Sequence, residues 1–417
     1  MRVNWSGNVQ FSAADQAVPT SVEELQQVVT GSARVRALGT AHSFSTVADT
    51  TGTLISTSGL KPPIEVLPEE RVAVVPAGAT YAEVATALHR EGWALHNLGS
   101  LPHISVGGAC STGTHGSGNR LGNLSTAVVG VELVRADGEL VRSAVDDADF
   151  SGMVLALGCL GVMTRLWLRI EPAFDVRQQV FTDVSRDLVV ERVQEIFESA
   201  YSVSIFSSFT DPQLMESIWF KARTDGPERG GPESVLGTEP ADQPQHPIRG
   251  QDTAAATEQG GVPGAWHDRL PHFRMGFTPS VGHELQSEFL MPRVVAGAVI
   301  EALHGLGPEL SGALQVFEMR TIAGDDLWLS PSRGRDSVAA HFTWRPEWEI
   351  VRPALERVES VLAPFDPRPH WGKVFLDRSP QEMDGLYPEL PRFRELRDAM
   401  DPDRRFGNTF VEGLIGG

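Results

Sequence analysis

Arg36-Ala-Leu-Gly-Thr-Ala-His-Ser-Phe-Ser45 follows a short alternating stretch, Ala33-Arg-Val-Arg-Ala37, that reads as a half-buried strand. Gly39 ends the strand. Thr40 to Ser45 then set small and hydroxyl-bearing residues around one imidazole, His42. Consecutive backbone N–H groups in such a turn form a nest for an anion such as a pyrophosphate. Taken alone, a Gly followed by a His in a loop also reads as an ordinary turn. A second run shifts that balance: Ser100-Leu-Pro-His-Ile-Ser-Val-Gly-Gly-Ala-Cys-Ser-Thr-Gly-Thr-His-Gly-Ser-Gly118. It is rich in glycine and poor in bulk, and glycine allows positive φ and close approach of backbone to a ligand. Ile104, Val106 and Ala109 make it a partly buried loop, and buried loop backbone needs polar partners.

Outward from these runs the pattern is α+β with short elements. Thr20 and Glu23 read as a capping box ahead of the helical stripe Val22, Leu25, Val28 and Val29. A strand at Arg71–Val75 leads to a second box, Thr80 to Glu83, and a helix with Val84, Ala85 and Leu88 on one face. Val128–Val134 and Glu139–Val141 read as strands joined at Asp137-Gly138, a hairpin signal. No G-x-G-x-x-G opens a helix after a strand, which argues against a Rossmann-type NAD site. Near Glu171-Pro172 the character changes. Ser202–Ser207 reads as a strand, and the stretch from about 224 to 264 reads as a long loop or partly disordered excursion, because its few apolar residues cannot build a core.

The whole chain fits a sizeable soluble enzyme of 417 residues, 41% of them hydrophobic. A formal charge of −19 with no Lys/Arg-rich run argues against nucleic acid and anionic membranes as partners. Cys110 and Cys159 sit among small apolar residues and read as two buried free thiols. Residues 1–10 carry no signal-peptide core, and the most apolar stretch, 152–163, is too short and glycine-rich to span a bilayer, so a cytoplasmic protein is expected. H-E-x-x-H and C-x-x-C are absent despite 12 histidines, so no metal site is expected.

Three strand-like segments in the second half hold candidate chemistry. In Leu314-Gln-Val-Phe-Glu-Met-Arg-Thr321, Glu318 and Arg320 share a face with Leu314 and Val316, which implies burial and therefore well-chosen partners. Val338-Ala-Ala-His-Phe-Thr-Trp344 puts His341 and Thr343 on one face and Phe342 and Trp344 on the other. In His370-Trp-Gly-Lys-Val-Phe375, Lys373 lies among bulky apolar neighbours, either partly desolvated or snorkelling.

The His42 loop resembles the pyrophosphate loop of vanillyl-alcohol-oxidase-type flavoproteins, where a histidine so placed often bonds FAD covalently. The Ser100–Gly118 run resembles the second FAD-binding stretch of the alditol oxidases, also called xylitol or sorbitol oxidases. Asp401-Pro-Asp-Arg-Arg-Phe-Gly-Asn408 is similar to that family's closing flavin-domain segment. The resemblance implies a two-domain α+β architecture: a PCMH-type FAD-binding domain, residues 1–173, a mixed α/β substrate-binding cap, 174–376, and a C-terminal return to the FAD domain, 377–417. It implies FAD contacts from Ala37, Leu38, Gly39, Thr40, Ala41, His42 and Ser43. Further contacts are expected from Ser105, Gly108, Ser111, Thr112, Gly113, Thr114, His115 and Gly116, and from Gly161, Val162 and Asn408. Ser105, Glu318, Arg320, Thr343 and Lys373 match the family's substrate-binding residues. Arg320, Lys373, His341 and Glu318 would carry catalysis. Val262–Trp266, Arg269–Arg274 and Trp328–Pro331 also match and are expected to fix loops. Where the family often has Gly-Ser-Gly before the histidine, this chain has Gly39-Thr40-Ala41.

The expected reaction is FAD-dependent oxidation of a terminal primary hydroxyl of a linear alditol, xylitol or sorbitol, with O2 reduced to hydrogen peroxide. Flavin N5 takes the hydride, so the organic chemistry is the cofactor's. Arg320 and Lys373 would stabilise the developing alkoxide. Glu318 would hold Arg320 and a hydroxyl, and His341, ordinarily near neutrality, would accept a proton. The protein is expected to work as a monomer. An aldonolactone oxidase or dehydrogenase of the same fold is the alternative, followed by a non-catalytic flavin-binding protein.

Overall fold

The computed structural model describes residues 2–226, 232–277 and 283–416. β1 (Asp15–Ala17), β2 (Val35–Leu38) and β3 (Thr53–Ser56) lie parallel in the order β1-β3-β2. Between β1 and β2 runs α1 (Val22–Gly31), whose Leu25 and Val29 pack with Val35 and Ile55. Its cap lies one residue beyond the expected position. Ser21 accepts from the Glu24 N–H, and the Glu24 carboxylate takes the Thr20 N–H and hydroxyl. The spacing fits both pairs; Ser21 wins because its backbone is extended where the helix starts.

β4 (Glu65–Leu67) and β5 (Val72–Pro76) lead to α2 (Tyr81–Arg90), which carries the expected Thr80–Glu83 capping box. β6 (Trp93–Ala94), β7 (Val128–Val134), β8 (Leu140–Ala144), β9 (Val162–Arg169) and β10 (Glu171–Pro172) complete this half. Strands β4-β5-β9-β7-β8 make an antiparallel sheet, and β6 pairs with β10. The Asp137-Gly138 hairpin joins β7 to β8, with Gly138 at φ +87°. The glycine-rich run is not all loop, as expected from its composition. Val106–Thr112 forms a short helix, α3, ended by Gly113 at φ +73°. Small residues give no apolar stripe to betray it. They let it press on its neighbour: the Gly107 N–H donates to the Ala77 carbonyl at 2.8 Å, and a Cβ on Gly107 would stand 3.0 Å from that oxygen.

The second half is built on one eight-stranded antiparallel sheet. Its strands are β11 (Asp175–Ser185), β12 (Ser202–Ser207), β13 (Leu214–Arg223), β14 (Gly264–Ala265), β15 (Leu285–Pro292), β16 (Leu314–Ile322), β17 (Ser337–Trp344) and β18 (Arg368–Pro369). Their order is β14-β11-β13-β12-β16-β17-β15-β18. One face is apolar. Phe289, Phe317, Met319, Phe342 and Trp344 pack beneath helices Arg186–Glu198, Ala296–His304 and Trp348–Leu362. The other face is polar at its centre, where register aligns Glu318, His341 and Glu288 in one row across β16, β17 and β15.

Two expectations need correction here. The described part of 224–264 is a long loop, as expected, but not a disordered one. It contains helix Pro232–Leu236 and a 3₁₀ turn Thr253–Ala255, and Ile248 and Ala256 pack with Val180, Phe206, Trp219 and Val316. Residues 227–231 lie outside the described part. The segment needs no core of its own because it borrows one from the sheet, which composition cannot reveal. Nor is His370–Phe375 a strand. β18 ends at Pro369, and the chain turns so that the Lys373 N–H donates to the His370 carbonyl at 3.0 Å. The Gly372 carbonyl instead accepts the Phe44 N–H at 2.7 Å, joining this turn to the His42 loop.

The end of the chain docks on β2. Val35 N–H donates to Arg405 O at 2.9 Å, and the buried Arg36 guanidinium donates to the carbonyls of Phe406 (2.7 Å), Leu157 (2.6 Å), Gly158 (3.1 Å) and Val47. Cys110 and Cys159 are both free and buried, as expected.

Candidate active site

A cavity of about 640 Å³ separates the two glycine-bearing loops from the polar face of the large sheet. One wall comes from Ala37 through Ser43, with Ser105, Gly108, Ser111, Thr112, Thr114, His115 and Gly161. The loop is built for close approach. A Cβ on Gly39 would run into Ser105 Oγ, and one on Gly108 would stand 2.8 Å from the same oxygen. Ala41 holds the left-handed conformation, φ +59°. Among the described residues, no protein group accepts a hydrogen bond from the N–H of Gly39, Thr40, Ala41, His42 or Ser43. Five such donors beside a deep cavity suit the diphosphate of a dinucleotide, so the chemistry of this wall fits FAD.

His42 stacks on Trp5, ring centroids 5.4 Å apart, and its Nδ1 lies 3.0 Å from Thr40 Oγ1. Burial first, then the neighbouring His103 and Lys373, lower its pKa to about 4. Its ring is neutral at pH 7 and keeps a nitrogen lone pair. Gly113, Gly116, Val162 and Asn408, expected at the cofactor, are not on the cavity wall. Gly113 ends α3, Gly116 packs on Asn97 and Leu98, and Val162 lies in the core with α1. Asn408 caps helix Thr409–Ile415 and donates to the carbonyls of Thr46, Val47 and Asp49.

The opposite wall brings together Glu318, Arg320, His341, Thr343 and Lys373, with Ser105 facing them from the loop side. Strand alternation puts the sheet residues there, and Lys373 enters from the turn after β18. Arg320 Nη2 donates to Glu288 Oε1 at 2.6 Å, and its Nε lies 3.5 Å from Glu318 Oε2. Burial pushes both carboxyls up, but the cation beside them prevails, together with His115 at Glu288 and His272 at Glu318. Both stay below the usual carboxylate range. Burial disfavours the Arg320 charge too, and the two acids more than restore it. Lys373 is not a snorkelling residue. Its Nζ donates to Gln286 Oε1 inside the cavity and lies 5.1 Å from the Phe44 ring centroid, and burial lowers its pKa.

His341 differs from expectation in its chemistry. Burial lowers its pKa to about 3, despite Glu288. It is a neutral hydrogen-bonding group, its Nε2 3.2 Å from Gln286 Oε1 and its Nδ1 buried without a protein partner. His370, also brought to about 3 by burial, accepts the Gly372 N–H at Nδ1 (3.1 Å).

Several residues of this wall were not singled out in the sequence. Gln286 and Glu288 sit two apart on β15, whose alternation Leu285-Gln-Ser-Glu-Phe289 carries the signal that marks Glu318 and Arg320. His272, in a phrase expected only to fix a loop, lines the cavity and donates from Nε2 to Glu318 Oε1 at 2.8 Å. His246, Gln251 and Asp252, from the supposed excursion, line the outer cavity. His115, Glu288 and His370 bring one potential ligand atom each within 4.8 Å of one another, a grouping no sequence spacing reveals. Arg320 already occupies Glu288, so a metal ion there would meet a guanidinium.

Comparison with known proteins places this geometry. Residues 16–144 match the family model "FAD binding domain", and residues 285–414 match "D-arabinono-1,4-lactone oxidase". The chain is 44% identical over 418 residues to an alditol oxidase of a Streptomyces species, covering 99% of each chain. It is 28% identical to an L-gulono-1,4-lactone dehydrogenase of Mycobacterium tuberculosis, covering 99% of this chain and 98% of that protein. A solved structure titled "Solvent-stable cholesterol oxidase" superposes with a TM-score of 0.78 at 16% identity, over 99% of this chain and 97% of that one, a likeness of fold alone. The full-length match at 44% identity, together with a glycine-lined cavity facing Glu318, Arg320 and Lys373, settles the family: the chain belongs to the alditol oxidases, within the FAD-linked oxidases of the vanillyl-alcohol-oxidase type.

Proposed function

We propose that the protein oxidises the terminal primary hydroxyl of a linear alditol, such as xylitol or sorbitol, to the aldose and passes the electrons to O2 as hydrogen peroxide. One observation carries the reading: two cations, buried Arg320 and half-buried Lys373, share a cavity with Glu318, Thr343 and Ser105, opposite the loops that fit FAD. Bound FAD supplies the hydride acceptor. The chain's own task is to hold the reacting hydroxyl and favour its loss of a proton. Arg320 and Lys373 present fixed positive charge to an oxygen that becomes anionic, worth most in a site with little water. Glu318 and Thr343 take hydroxyls further along the polyol. Neutral His341 takes the hydroxyl proton as the hydride leaves and, with a pKa of about 3, hands it on to solvent rather than keeping it. We also assign to His42 the bond to the flavin 8α carbon, in keeping with its neutral ring in the loop.

The division 1–173, 174–376 and 377–417 remains the reading of the domains, and a monomer in the cytoplasm that of its setting. No described helix is long and apolar enough to cross a membrane. An aldonolactone substrate is the second reading, favoured by the lactone-oxidase model over residues 285–414. The deciding experiment is the visible spectrum of the purified protein before and after anaerobic xylitol. Bleaching supports the alditol. A spectrum that bleaches only with aldonolactones transfers the site to the second reading, and one that bleaches with neither leaves a flavin-binding protein without this activity.

A further inference from the structure

Behind Glu318 lies a buried group that the proposed reaction does not use. Lys221, on β13 and only 1% exposed, donates from Nζ to the carbonyls of Leu270 (2.6 Å) and Pro271 (2.9 Å). Its third position faces His272 Nδ1 at 3.3 Å. An ammonium has three donors and no acceptor, so the imidazole nitrogen facing it must be bare. The ring proton then belongs on Nε2, which lies 2.8 Å from Glu318 Oε1. Phe206 and Trp219 enclose the ring edge-on, centroids 5.6 and 5.4 Å away.

We propose that His272 is a positioning residue for the Glu318 carboxylate, and that Lys221 fixes which of its ring nitrogens carries the proton. The arrangement explains why a lysine is buried against two carbonyls with no acid in contact among the described residues: its job is to hold the histidine in one tautomer. With that donor in place, Glu318 Oε1 is held by His272. Oε2 is left to Arg320 and to a substrate hydroxyl. The charged and titratable groups facing His272 are Lys221, Glu318 and Arg320. Burial, then Lys221, lowers its pKa to about 4, so the ring is neutral. Burial brings Lys221 to about 7, with Glu318 pulling the other way, so it is charged at pH 6.

The inference rests on Glu318 meeting the substrate, and two measurements keep it separable from the choice of substrate. The first uses ¹⁵N-histidine-labelled holoenzyme at pH 6, with the His272 signals assigned by their loss in His272→Gln. The expected ring has one bare nitrogen and a proton on Nε2. In Lys221→Met the cation is gone while burial and Glu318 remain, so Nδ1 should take up a second proton at a higher pH than in the unaltered protein. A proton on Nδ1, an imidazolium in the unaltered protein, or no change in Lys221→Met overturns the proposal. The second is anaerobic flavin reduction by xylitol. His272→Leu should raise the apparent dissociation constant roughly ten- to a hundred-fold, with a much smaller change in limiting rate, as for a lost bond to a buried charge. His272→Gln should recover most of that, because its amide can donate to Glu318. Unchanged affinity in His272→Leu overturns the proposal. If Lys221→Met or His272→Leu does not fold, the tautomer in the unaltered protein decides. If no alditol reduces the flavin, the substrate assignment fails while the tautomer still tests the relay.

Discussion

Arg320 is the residue on which the two acids of the sheet face converge, and removing it does two things. The forming alkoxide loses a cation, and Glu288 and Glu318 lose the partner that keeps them ionised. By analogy with loss of one oxyanion donor, Arg320→Ala should slow flavin reduction about 10²–10³-fold at saturating alditol, with normal FAD content. Stopped-flow absorbance under anaerobic conditions measures it; an unchanged rate with weaker affinity would assign Arg320 to uniform binding. Lys373 carries a pH prediction. Its pKa is lowered by burial, so its charge disappears as pH rises through that lowered value, well before a free lysine would titrate. Reduction should fall on the alkaline side, and Lys373→Arg, whose charge persists, should flatten that limb. His42 titrates in the opposite regime. Its ring is neutral above about pH 4, so covalent yield on adding FAD to apoprotein should hold steady from pH 8 to pH 5 and drop only below. Intact mass under denaturing conditions reports it, and His42→Ala should bind FAD without the added mass.

At the level of elements, the cofactor wall depends on how closely the turn after β2 meets the start of α3. Gly39 is in contact with Ser105 and leaves no room for a methyl group. Gly39→Ala must displace the Ser105 hydroxyl into the cavity and press on its Cβ at 3.1 Å, so the protein should fold yet lose most of its FAD, read as the ratio of flavin to protein absorbance. Gly312→Ala, at a position with nothing within 4 Å of the added carbon, is the control and should keep its flavin. The polar wall depends on register. Glu318 faces His341, and His341 faces Glu288, because β16, β17 and β15 pair at those residues. A slip of one residue in β15 would turn Gln286 and Glu288 into the apolar face beneath the helices.

Across the whole molecule, Arg36 joins segments far apart in the chain by donating to carbonyls at Val47, Leu157, Gly158 and Phe406. Arg36→Met would take that donor from all four carbonyls, of which Val47 keeps Asn408. We expect a loss of about 3 kcal/mol or more, seen as a lower thermal midpoint with the flavin released in the same transition. What the sequence by itself determined is local: β2 before a glycine, the Thr80–Glu83 cap, the Asp137-Gly138 hairpin, and the alternation that sets Glu318 beside Arg320 and His341 beside Thr343. These depend on neighbours a few residues away, so propensity and period disclose them. Family resemblance, not periodicity, connected them to a flavin site. Tertiary structure alone decided the rest. Glu288 reaches Arg320 through strand pairing, His272 reaches Glu318 across 46 residues, and the 224–264 segment gains order from the sheet it covers. The pKa of His341 belongs here too. An imidazole's ordinary value describes it in water, and only the packed fold, by removing that water, brings it to about 3.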